Sequence, residues 1–156
     1  MNSLLAQFWK WSNKTPEEYA THGMDQNKGE FEDNFPLFED LLEYSKELVD
    51  NNTLDCFLID DLITIMALDN ESESVLDYIE NNSSQEQLQK IIEQGVSHLY
   101  SNARWQISEL LYRRKPKNYQ KYLLDLSTDK HIYVRQRAKN CIELSKFDTR
   151  KYEKTN

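Results

Sequence analysis

Glycine and proline are scarce in this sequence, three of each in 156 residues. Turns must therefore be made by Asn, Ser and Asp, and the chain as a whole favours helix. The same shortage removes the glycines that a phosphate-cradling loop requires. Cysteine is as sparse: Cys56 and Cys141 lie far apart among apolar neighbours, which argues against a disulfide framework and reads as two buried small hydrophobes. His22, His98 and His131 fall in separate segments with no His or Cys at metal-ligand spacing, so they read as surface or helix-end residues, and no metal or other cofactor is expected. Neither cysteine neighbours a histidine and no serine stands in a glycine-flanked elbow, so no activated nucleophile is in view. No stretch approaches the ~20 apolar residues of a membrane span, and the opening MNSLLAQFWKWSNK lacks the basic start, apolar run and small-residue cleavage site of a secretory signal. The expectation is a soluble cytoplasmic protein that is not an enzyme and has no membrane partner.

Charge is what the sequence has in abundance: 29% of residues are charged and the net charge is -8. It is unevenly placed. Residues 1–93 hold 21 acids and 5 bases, a balance of -16, and residues 94–156 hold 6 acids and 14 bases, a balance of +8. Such a split acts on long-range fields and on the choice of partner, not on fold, and its plain alternative is two solvated faces of opposite sign.

The apolar rhythm is helical throughout. Leu4, Leu5, Phe8 and Trp9 recur at helical spacing, and Thr15-Pro16-Glu17-Glu18 is a capping box with proline at the first helical position. Residues 21–34 have no apolar period and read as a loop. Asn34-Phe35-Pro36 opens the first strong helix, with Leu37, Phe38, Leu41, Leu42, Leu48 and Val49 on one stripe, and Asn51-Asn52-Thr53 ends it and caps the next. The helix from Leu54 to Leu68 is the most apolar and must be central. Its one polar strip is Asp60, Asp61 and Thr64, the place where it would meet water or a partner. The turn Asp69 to Ser72 leads to a short helix with Val75, Leu76, Tyr78 and Ile79. A second capping box, Ser84 to Gln87, starts a helix with Leu88, Ile91, Ile92, Val96 and Leu99, where Gly95 allows a close neighbour. Asn102 is placed to cap the helix that follows.

From there two units repeat. Ala103, Ile107, Leu110 and Leu111 form a stripe with Arg104 at the second position, and 31 residues later Val134, Ala138, Cys141 and Ile142 repeat it with Arg135 second. Pro116 separates the first of these helices from one carrying Tyr119, Tyr122, Leu123 and Leu126, giving one helix-turn-helix per period. The run from Asp129 through Val134-Arg135-Gln136-Arg137-Ala138 resembles the second helix of a HEAT repeat; the Ala103-Arg104 unit is similar but lacks the preceding Asp, and Leu58 to Met66 keeps only the rhythm. The resemblance implies an all-α, HEAT-like helical repeat array, a compact α-α superhelix whose inner surface binds proteins, peptides or nucleic acids. It places one domain over 1–156, with N-terminal helices and a loop over 1–35, repeats over 36–145 and a tail over 146–156. Phe8-Trp9-Lys10-Trp11, Ala67-Leu68-Asp69-Asn70-Glu71 and Ala103-Arg104-Trp105-Gln106-Ile107 also resemble small bacterial HEAT-like proteins, among them immunity proteins that neutralise secreted toxins.

Trp105 lies opposite its helix's apolar stripe at 100° per residue, and Tyr112, seven positions on, shares its side; either the adjacent unit or a partner must cover them. Arg104 and Arg135, on the flanks, read as a structural ladder with acids or carbonyls. The function expected from the immunity resemblance is non-catalytic binding of a protein, a basic toxin domain encoded by a neighbouring gene. The acidic half would mimic that enzyme's substrate through Asp60, Asp61, Asp69, Glu71 and Glu73, with Trp105 and Tyr112 as the aromatic anchor. Nucleic-acid binding through residues 104–154, or a general HEAT scaffold, is the alternative, although net acidity argues against a specific nucleic-acid complex.

Overall fold

The computed structural model describes residues 3–24 and 31–153, with side chains described as far as Lys146, and every regular element in that range is helical. In order these are α1 Ser3–Ser12, α2 Pro16–His22, a 3-10 turn Glu32–Asn34, α3 Phe38–Asp50, α4 Cys56–Leu68, α5 Ser74–Asn82, α6 Gln85–Gly95, α7 Ser101–Arg114, α8 Tyr119–Leu126 and α9 Ile132–Glu153. None of them is long and apolar enough to cross a membrane. The expected loop over 21–34 is thus part helix and part 3-10 turn, with residues 25–30 outside the described range, and α9 runs on through most of the expected tail.

Helix starts follow local hydrogen-bonding chemistry, with four departures from the sequence reading. The Thr15 box closes fully: Glu18 N donates to Thr15 Oγ1 at 3.2 Å and Thr15 N to Glu18 Oε2 at 2.8 Å. At Ser84 only half a box forms. Its hydroxyl accepts from Gln87 N at 3.1 Å, but the Gln87 amide donates instead to the carbonyls of Leu48 and Thr53 at 3.0 and 3.3 Å, closing off the end of α3. Asp55, not Asn51 to Thr53, caps α4, accepting from Phe57 N and Leu58 N. Asn34 ends the 3-10 turn, so α3 begins one turn later than expected. Asn102 does not cap α7 either; its Oδ1 accepts the Trp105 indole N–H at 3.3 Å.

Ile59 and every residue from Asp61 to Leu68 are buried, which makes α4 central, as its composition predicts. It packs on α3, α5, α6 and α7, and α7 in turn packs on α8 and α9. The predicted stripes Ala103, Ile107, Leu110, Leu111 and Val134, Ala138, Cys141 are all buried in this core. Cys56 is not: in the first turn of α4 it is exposed, as Phe57 beside it is. Gln106, fully buried, donates to Met66 O at 2.7 Å and ties α7 to the end of α4.

The two arginines spaced 31 residues apart do equivalent work. Arg104 Nη1 donates to the carbonyls of His98 and Leu99, six and five residues back, at 2.8 and 3.0 Å. Arg135 Nη1 donates to those of Asp129 and Lys130, again six and five back, at 2.7 and 3.0 Å. Each clamps the turn that precedes its own helix, and Arg104 also grips the next turn, with Nε and Nη2 donating to the two Asp129 oxygens at 2.8 and 3.0 Å.

Two stability measurements check this account. A Cβ on Gly95 would stand 2.5 Å from Ile107 Cδ1 and Cγ1, so Gly95→Ala should destabilise by about 1–3 kcal/mol in urea melts despite alanine's better helix propensity. Burial pushes the Asp129 carboxyl up, but Arg104 and the His131 amide outweigh it and hold the group below its usual value. A depressed folded value means that the pair's contribution is whole above the unfolded pKa of about 3.9 and is lost as pH falls through the folded one. Asp129→Asn should therefore cost about 2–4 kcal/mol near neutrality, and its gap from the native chain should narrow below about pH 4.

Candidate protein-binding groove

The N-terminal half of α4 builds one wall of a concave groove of about 730 Å³. Phe57, Asp60, Asp61 and Thr64 form that wall, spaced i, i+3, i+4, i+7, so they share one helix face. The C-terminal turn of α6 supplies Glu93 and Gln94. The connection into α7 adds Ser97, His98, Leu99 and Tyr100, and Leu5, Trp9 and Pro16 close it from the α1 and α2 side. Leu5 and Trp9 are buried, whereas Phe57 is 75% exposed and Leu99 47%. Phe57 and Leu99 are thus its exposed apolar rims and Asp60 and Glu93 its acids, and no described lysine or arginine lines it.

A histidine fixes that wall. His98 Nδ1 accepts from the Tyr100 amide at 3.4 Å, which leaves the ring N–H on Nε2, donating to Asp60 Oδ1 at 3.2 Å. The His98 side chain is buried and that of Asp60 is 60% exposed. The bond from His98 holds the Asp60 carboxyl below its ordinary value, so Asp60 is anionic at neutral pH. Gln89 Nε2 orients Glu93 with a 2.8 Å bond to Oε1.

The residues expected to bind a partner are not brought together. Asp60 and Asp61 lie near the start of α4, and Asp69, Glu71 and Glu73 lie past its end, about 13 Å further along the axis. Asp61 is 6% exposed and lines the groove from within rather than standing in water. Asp69, 2% exposed, is a structural cap: its carboxylate accepts from the hydroxyls of Ser72 and Ser74 and from Val75 N, where Glu73 at the head of α5 makes no side-chain cap. Glu73 pairs with Arg113 at 3.6 Å. Glu71 is exposed at a separate cavity beside Glu32, which takes the Tyr19 hydroxyl at 2.5 Å. Burial and that carboxylate push the Tyr19 phenol far up, so it stays a donor.

Trp105 is 4% exposed, covered by the neighbouring helix: the Tyr133 ring meets it edge-on at 5.7 Å and the Arg137 guanidinium carbon lies 4.7 Å from its centroid. Tyr112 is half-buried against the core, with Lys115 Nζ 5.6 Å from its ring. Neither is placed as an exposed anchor. The exposed apolar residues at the groove are Phe57, in the helix read as central, and Leu99, placed on an apolar stripe by rhythm alone. The signal for Phe57 is its place at the head of the polar strip, three and four residues before Asp60 and Asp61.

Among the described residues no group of three or more His, Cys, Asp or Glu could hold a metal ion. Burial, with Glu109 beside it, pushes the Cys141 thiol up to about 12, far from a reactive thiolate. No protein-family model matches this chain, and no curated protein or solved structure matches it.

Because Trp105 is core, Trp105→Ala should lower stability by about 3–5 kcal/mol, read as a shift of the urea midpoint in the protein alone. A midpoint within experimental error of the native chain would return Trp105 to the surface.

Proposed function

We propose that the chain is a non-catalytic protein-binding module, a HEAT-like α-α repeat array acting as an immunity protein that neutralises a basic toxin domain encoded beside it. The observation that carries the reading is the groove, where exposed Phe57 and Leu99 stand beside Asp60 and Glu93 with no described lysine or arginine on its lining. Acids on such a rim steer a basic partner at long range, and the apolar rims lose water only once it has docked. The repeat architecture is supported by the matching carbonyl clamps of Arg104 and Arg135 and by the Arg104–Asp129 link between successive units. Nucleic acid is the less favoured partner, since Arg104, Arg113 and Arg137, three bases a phosphate backbone would need, already hold Asp129, the α5 acids and Glu109.

The test is a one-to-one complex, and rescue of growth, with the toxin domain encoded by the neighbouring gene. Asp60→Lys with Glu93→Lys should slow association about tenfold and weaken its salt dependence, while Phe57→Ala should speed release by a factor corresponding to about 2 kcal/mol. Absence of both complex and rescue overturns the immunity reading. A complex indifferent to all three substitutions overturns the groove.

A further inference from the structure

We infer that the groove takes a short linear segment of its partner, one bulky apolar side chain flanked by arginine, and not the face of a folded domain. The inference rests on the groove being the protein-binding surface. Its shape argues for a protruding chain: the groove is a concavity of about 730 Å³, a size that suits a single compact group. A flat protein face of ordinary area, about 800 Å² per partner, would bridge Phe57 and Leu99 and leave the space between them unfilled. A projecting side chain fills that space and packs on both rims.

The lining chooses the chemistry. The anchor must be apolar, because the exposed rims Phe57 and Leu99 are, and its neighbours must be cationic, because Asp60 and Glu93 flank the same opening. Arginine fits better than lysine: the exposed Phe57 ring, one turn from Asp60 on the same face, offers a surface for a guanidinium to stack on while the carboxylate takes its donors in pairs. The receiving side is preorganised. The carbonyls of His98 and Leu99 are held by Arg104 and the Asp60 carboxylate by His98, so docking orders little that is not already ordered.

The experiment uses the full chain and a fluorescein-labelled peptide of about ten residues with a central Arg-Leu-Arg among serines, read by polarisation at low salt. Saturable binding is expected, weakened about tenfold or more when the leucine becomes alanine and abolished when both arginines become glutamate. Arginine to lysine should cost less than the loss of either charge. Phe57→Ala and Asp60→Asn, both at exposed positions and each checked for an unchanged urea midpoint, should each weaken the native peptide about tenfold. Peptide binding indifferent to these variants overturns the inference, as does no binding. If the intact toxin domain still binds and loses affinity on Phe57→Ala, the groove stands and only the linear segment falls. If it binds without regard to Phe57 and Asp60, the groove falls as well.

Discussion

The structure turns on one buried guanidinium. Arg104 is almost fully enclosed, and a charge taken out of water is tolerable only when its donors are matched. Nε and Nη2 grip the two oxygens of Asp129, and Nη1 bridges the carbonyls of His98 and Leu99. That set of bonds fixes two turns at once, the one that enters α7 and the one that enters α9. With its carbonyl held inward, Leu99 stands as a rim, and His98 is positioned to brace Asp60. The groove is therefore a by-product of how the turn into α7 is stapled to the turn into α9.

Part of the charge asymmetry of the sequence is taken up inside the fold. Arg113 on α7 meets Asp77 and Glu80 of α5 at 2.8 and 3.0 Å, and Arg137 on α9 meets Glu109 at 2.9 Å. Arg114 reaches the end of α5, donating to Glu80 O at 2.5 Å. These contacts are partly wet, so each contributes modestly to stability. Their larger effect is on the field. Arg113 draws on acids of the first half at Glu73, Asp77 and Glu80, whereas Arg137 is matched by Glu109 within the basic half itself.

Local rules made much of this legible. The periodicity gave the helices, the Thr15 box gave the start of α2, and Gly95 marked the close approach of Ile107. The flanking arginines could be read as a carbonyl and carboxylate ladder before any coordinates. What local rules missed was which turn of an apolar helix is left uncovered. Phe57 and Leu58 satisfy the apolar rhythm as well as Leu62 does, and only the placement of the packed helices decides that the first turn of α4 is left outside. The same gap explains the acids: a turn rich in Asp and Glu looks like a surface, yet Asp69 is drawn inward because α5 begins without a side-chain cap of its own. Trp105 fell between two readings because its cover lies on α9, an element that its own helix does not reveal.

The exposure of Phe57 is held in place. Asp55 accepts from the amides of both Phe57 and Leu58, pinning the start of α4. The cap, a contribution of about 1 kcal/mol, fixes the backbone that carries the ring. Left in water, the phenyl forgoes about 1.5–3 kcal/mol of burial within the chain. Its position three residues ahead of a braced carboxylate puts an apolar ring and an anion side by side on one helix face.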